Sequence, residues 1–144
     1  MATSVSTQLQ PSLLHDRFAI TDLIYSLGAC LDEHRFDDLR DLFIEDATAS
    51  TPGGVAQGRD AVIAQATRNH LKYARLQHSM TNLLIDLNGD QASVRANLQA
   101  AFAGETGIPE LVLGAVYHFQ TQRTEQGWRI AGLEVTPIWR QTTA

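Results

Sequence analysis

The chain holds a single cysteine, Cys30, so it can form neither an internal disulfide nor a thiolate metal cluster. Lysine is as scarce: Lys72 stands alone. There is no run of Lys or Arg, and the formal net charge is −5. The basic stripe that a nucleic acid needs is therefore missing, and an anionic membrane surface is an equally poor partner. No stretch approaches 18 consecutive apolar residues, so no membrane-spanning helix is expected. Residues 1–12, MATSVSTQLQPS, have no charged n-region and no apolar h-region. They read as a flexible lead rather than a signal peptide, and a cytoplasmic location is the expectation. A phosphate-binding Gly-rich loop, a nucleophile elbow and a dinucleotide fingerprint are all missing. His15, His34, His70 and His118 are scattered, with no pair at i, i+4 beside a Glu. No metal and no cofactor are expected.

What is present is globular. The chain has 144 residues, 44% apolar and 19% charged, which favours one domain with a real core. A first helix is expected after Pro11-Ser12, with Ser12 as N-cap and Asp16 in the early turns. Leu14, Phe18, Leu23, Ile24, Leu27 and Leu31 approximate a 3.6-residue period and read as its core-facing stripe. The helix breaks at Asp32-Glu33-His34. A short second helix is expected over Phe36 to Leu42, then extended chain to Ser50 and a turn at Thr51-Pro52-Gly53-Gly54. A third helix runs from Arg59 to Leu71, with Val62, Ile63, Ala66 and His70 inward.

The remainder reads as strands: Leu76 to Leu87, Ala92 to Ala103, Leu111 to Thr124 and Trp128 to Arg140. Asn88-Gly89 between two apolar runs is a hairpin signal. Val94, Ala96, Leu98, Ala100 and Phe102 alternate with Ser93, Arg95, Asn97 and Gln99, giving one apolar face and one polar face. Three helices followed by an antiparallel meander make an α+β domain. The concave side of the sheet and the helices would enclose a mostly apolar pocket. Apolar residues on both faces of the strands lead to the expectation of a homodimer through the sheet.

Four segments carry a family resemblance: FAITDLIYSLGACLDEHRFDDLRDLFIEDA, the helix start GRDAVIA, QHSMTNLLIDLNGDQASVRA, and YHFQTQRTEQGWRIAGLEVTPIWR. Together they resemble the SnoaL-like branch of the nuclear transport factor 2-like superfamily over residues 13–144. The resemblance implies a cone-shaped fold, with three N-terminal helices packed in the concavity of a strongly curved, mostly antiparallel sheet. That superfamily hosts dehydratases, isomerases, polyketide cyclases, epoxide hydrolases, oxygenase small subunits and plain binding modules, so the fold alone names no reaction. Its dehydratase-like members pair an Asp at the end of the first helix with a His on the following strand. The matching positions here are Asp32 and His78. The scytalone-dehydratase type carries a second pocket histidine on the next strand, and residues 93–102 contain none. No Asp–Arg–Asp arrangement of the epoxide-hydrolase type can be matched.

The resemblance thus implies a cofactor-free acid/base enzyme (a lyase or isomerase acting as dehydratase, isomerase or cyclase) on a small apolar molecule, cyclic or polyketide- or steroid-like. The alternatives are a binding module without turnover and an accessory subunit of a ring-hydroxylating oxygenase. In the enzyme reading, His78 moves the proton, imidazole being the side chain most often used for acid/base work, while Asp32 orients it. Tyr25, two turns before Asp32 on the same face, either polarises a substrate carbonyl or packs as an amphipathic residue. Asn82 shares the face of His78 by parity and either binds a substrate oxygen or makes a backbone bond. Phe36, Met80, Tyr117, Phe119 and Trp139 are the expected apolar walls. Arg140 either closes the pocket as an anion partner or solubilises the last strand.

Overall fold

The computed structural model describes residues 10–143; the expected N-terminal lead lies almost wholly outside them. Helix α1 spans Pro11–Asp32. It begins at the proline itself, whose fixed φ suits a first helical position and whose missing N–H is no loss there. Ser12 is therefore inside the first turn and not the N-cap, which is Gln10. The buried stripe is Asp16, Ile20, Leu23, Ile24, Leu27 and Leu31. Leu14 and Phe18 fall two residues, about 200°, from Asp16 and point outward, 43% and 64% exposed.

The end of α1 is built as a Schellman turn. Arg35 N–H donates to the Cys30 carbonyl at 2.8 Å and His34 N–H to Leu31 at 3.3 Å. His34 takes the left-handed conformation, φ 55°, which normally selects glycine. Its ring stacks on Phe36, centroids 5.4 Å apart. The chain then makes a 3-10 helix, Phe36–Asp41, in place of the short helix expected there.

Strands β1 (Phe43–Thr51) and β2 (Gly54–Gln57) form a hairpin. Helix α2 (Arg59–His70) follows, then β3 (Arg75–Asn88), β4 (Gln91–Ala103), β5 (Pro109–Thr124) and β6 (Gly127–Thr142). They join in one six-stranded sheet, order β2-β1-β6-β5-β4-β3. The four expected strands are the antiparallel meander β3 to β6. The sheet continues past them, because β1 pairs with β6 in parallel. That closure depends on long-range pairing which local periodicity does not report. At the β3–β4 hairpin, Asn88 faces Gln91, and Gly89 at φ 64° supplies the left-handed residue of a two-residue loop.

Val94, Ala96, Leu98, Ala100 and Phe102 are all buried on the concave side. Register breaks at Thr81/Leu84, Gly114/Ala115 and Gln120/Thr121 bend the strands. At the second of these the indole of Trp139 lies across Gly114; a Cβ there would meet Trp139 Nε1 at 2.2 Å. Only glycine admits that contact. The far end of the core is closed by Asp16, which accepts two bonds from Arg123 and one from the Trp128 indole. No helix is long and apolar enough to cross a membrane among the described residues.

Candidate active site

Asp32 is the last residue of α1, so its carboxylate sits at the negative end of the helix dipole. Hydrogen bonds answer that cost. The His78 backbone N–H donates to both oxygens of Asp32, at 2.9 and 3.0 Å. The ring Nδ1 of His78 stands 2.5 Å from Asp32 Oδ1. A carboxylate facing an imidazole nitrogen requires the proton on Nδ1 of the neutral ring, which leaves the lone pair on Nε2. The His78 side chain is 1% exposed and that of Asp32 22%. The Schellman turn places the carboxylate, and β3 delivers the imidazole from the strand beside it.

His78 borders a cavity of about 390 Å³. Its walls are mainly apolar: Leu98, Phe102, Leu111, Leu113, Ala115 and Val135. A smaller void of about 50 Å³ continues inward past Leu27 and Leu31, sharing His70 and Tyr117 with the main cavity. A separate groove of about 460 Å³, bounded by Arg40, Glu45, Asp46, Arg59 and Arg129, is larger and more polar. It touches neither Asp32 nor His78, and carries no acid/base constellation.

Two further polar groups border the cavity: His70, which had no assigned role in the sequence, and Tyr117, one of the expected walls. His70, at the C-terminal end of α2, lies 5.2 Å from His78 by ring centroids. Both rings pack on Phe102, at 5.9 and 5.6 Å. His70 Nδ1 donates to the Ala66 carbonyl at 2.7 Å, so Nε2 again carries the lone pair. Burial pushes its pKa down to about 4, and the ring is neutral near pH 7. Tyr117 is 7% exposed and borders both voids. Burial pushes its phenol pKa upward, so it remains an O–H donor. The inward position of His70 was legible from helical spacing; its pairing with His78 was not.

The other sequence candidates distribute differently. Trp139 borders the cavity. Phe36, Met80 and Phe119 are core residues and not cavity walls; Phe119 is fully buried, and Met80 packs towards Gly28 of α1. Asn82 is exposed, because the β3 bulge and its own left-handed φ of 54° turn it off the face of His78. Tyr25 is half exposed and outside the cavity. It shares the stripe of Asp32 but sits seven residues, about 10 Å, up the helix.

His70 carries a measurable consequence. Its folded pKa lies below the ordinary histidine value of 6.5, so between about pH 6.5 and 4 the unfolded chain binds the extra proton. This contribution to stability is full above the unfolded pKa and is lost as pH falls through that window, on the order of 2 kcal/mol from pH 7 to 5. Urea denaturation of wild type and His70→Gln at both pH values should show the smaller drop in the variant. Equal drops would refute it.

Residues 12–134 match the SnoaL-like domain. The uncharacterized protein Rv2910c of Mycobacterium tuberculosis H37Rv is 32% identical over 132 residues, covering 86% of each chain. Among solved structures, a Novosphingobium aromaticivorans protein provisionally named a scytalone dehydratase superposes with a TM-score of 0.82, at 22% identity over 91% of this chain and 89% of that one. The hexachlorocyclohexane dehydrochlorinase LinA-type3 of Novosphingobium barchaimii gives 0.80, at 19% identity over 91% and 92%. A third structure, an NTF2-like protein with a cystatin-like fold from Novosphingobium aromaticivorans, gives 0.76, at 23% identity over 88% and 84%. At these identities the structures show the fold alone. The match along most of its length makes this chain a member of the SnoaL-like family.

Proposed function

We propose that this chain is a cofactor-free proton-transfer enzyme of the lyase or isomerase type, acting on a small cyclic molecule held in the cavity beside His78. The observation that carries the reading is the His78–Asp32 contact at 2.5 Å, set in the wall of an apolar cavity. Asp32 holds the proton on Nδ1, so Nε2 of His78 is the base that takes a proton from a carbon next to a carbonyl. The same nitrogen, once protonated, returns it to another carbon or to a leaving group. The imidazolium formed in between stands against the Asp32 carboxylate. Of the two phenols that border the cavity, Tyr73 and Tyr117, Tyr117 is the buried one; it takes the place of the expected Tyr25, and its O–H is suited to the oxyanion that develops on the carbonyl. One such donor is worth about 2.7–4 kcal/mol in well-studied enzymes. Names among the structural neighbours, a scytalone dehydratase and a dehydrochlorinase, support elimination chemistry as one form of this step.

The test does not require the physiological substrate. A panel of cyclic ketones is incubated with the protein in D2O, and deuterium entry next to the carbonyl is followed by NMR. Enzyme-dependent exchange in wild type, lost in His78→Ala, is the expected result. Ligand binding without exchange across the panel would return the chain to a binding module.

A further inference from the structure

The cavity lining is unlike the rest of the molecule in charge. The chain has 16 Asp and Glu against 11 Lys and Arg. None of the 18 residues bordering the cavity is acidic, while Lys72 and Arg140 both border it. The two cations come from different elements. Lys72 lies just past the end of α2, and Arg140 is near the end of β6. Strand register places Arg140 opposite Leu113, as Pro137 is opposite Ala115 and Val135 opposite Tyr117. Cross-strand partners share a face, so Arg140 belongs to the concave side with the cavity walls.

Neither cation is matched by a carboxylate. Only Arg35, Arg40 and Arg123 make ion pairs among the described Lys and Arg residues, so what sets Lys72 and Arg140 apart is their place on the cavity lining. Among the described residues no ion pair involves Lys72 or Arg140; the Lys72 ammonium lies 5.5 Å from the centre of the Tyr73 ring. Asp32, behind the lining, is committed to His78. The partial negative charge at the end of α2 accounts for one nearby cation. It does not account for the second, which arrives from β6, or for the lack of acids around the whole lining.

We infer that the ligand of this cavity carries an acid group, held at the mouth by Lys72 and Arg140, with its apolar ring system directed inward against Leu113, Ala115 and Phe102. The inference rests on the reading of the cavity as the substrate site and adds the ligand's charge and orientation. An anion anchored at the rim fixes which end of the molecule reaches His78, a positioning effect that a purely apolar pocket supplies poorly.

The test uses two dyes with one framework, both fluorescent in apolar sites: 8-anilinonaphthalene-1-sulfonate and its uncharged parent N-phenyl-1-naphthylamine. The quantity read is the ratio of their dissociation constants, sulfonate over parent. Lys72→Met and Arg140→Gln should each raise that ratio roughly three- to tenfold. Arg68→Gln, an equal charge change on an exposed residue outside the lining, should move it far less. In competition, 2-naphthoate and 2-naphthyl phosphate should displace the sulfonate dye more strongly than 2-naphthamide, and their order tells a carboxylate from a phosphate preference. A ratio that neither rim substitution moves, or that Arg68→Gln moves equally, overturns the inference, as does displacement by the amide equal to that by the acids. If the uncharged parent binds normally in those cases, the cavity reading survives. If it does not bind wild type at all, both fall.

Discussion

Asp16→Ala will lower the unfolding free energy by about 3 kcal/mol, the largest stability loss expected from a single polar side chain here. Asp16 is 6% exposed. It accepts from both terminal nitrogens of Arg123 at 2.8 Å and from the Trp128 indole at 3.1 Å. Removing it strands the indole N–H, since Trp128 is 5% exposed. Arg123 suffers less, because its side chain is 42% exposed and it keeps Asp90 at 2.9 Å. That asymmetry sets the figure below the full cost of orphaning a buried pair. The hydrogen bonds from Arg123 hold the Asp16 pKa below the usual carboxylate value of 3.8. The contribution is therefore present above the unfolded pKa and is lost as pH falls through the folded one. Denaturation followed by tryptophan fluorescence reports on it directly. A loss under 1 kcal/mol for Asp16→Ala would show the network to be ornamental.

His78→Ala will reduce proton exchange on any accepted ketone by about 10²–10⁴-fold, the range for a positioned general base. Asp32→Asn should come close to it for a different reason. The amide can still accept the His78 backbone N–H. Its NH2 group, turned to Nδ1, would favour the other tautomer and place the proton on Nε2, where the base must be. Because the two residues act as a unit, the double variant should be little worse than the worse single one. Single losses that multiply independently would mean that Asp32 and His78 do not work together. Circular dichroism of each variant separates a chemical loss from a folding one.

Much of the fold was legible because local periodicity and final burial coincide. The alternation from Val94 to Phe102 and the Asn88-Gly89 turn are set by neighbours in sequence. Leu14 and Phe18 misled because Asp16, a charged residue, occupies the buried stripe, and nothing local announces that Arg123, 107 residues away, pairs with it. Asp32 and His78 were found through resemblance and meet as expected in space. Asn82 was lost to a bulge, since one extra residue reverses every face assignment after it. Tyr117 was among the expected walls, but His70 belongs to the site only because the end of α2 brings its ring beside Phe102 of β4, a packing outcome that neither segment specifies alone.

Strand β3 has a neighbour on one side only, β4. Its other margin presents unpaired backbone groups of the kind that recruit further strands. Helix α1 meets that margin at two places: Arg17 donates to the Ile85 carbonyl at 3.3 Å, and Asp32 accepts from the His78 N–H. The carboxylate that orients the imidazole is thus also a plug against chain-to-chain zippering. A variant that gives up the ring contact with His78 therefore still has reason to keep an acceptor at position 32.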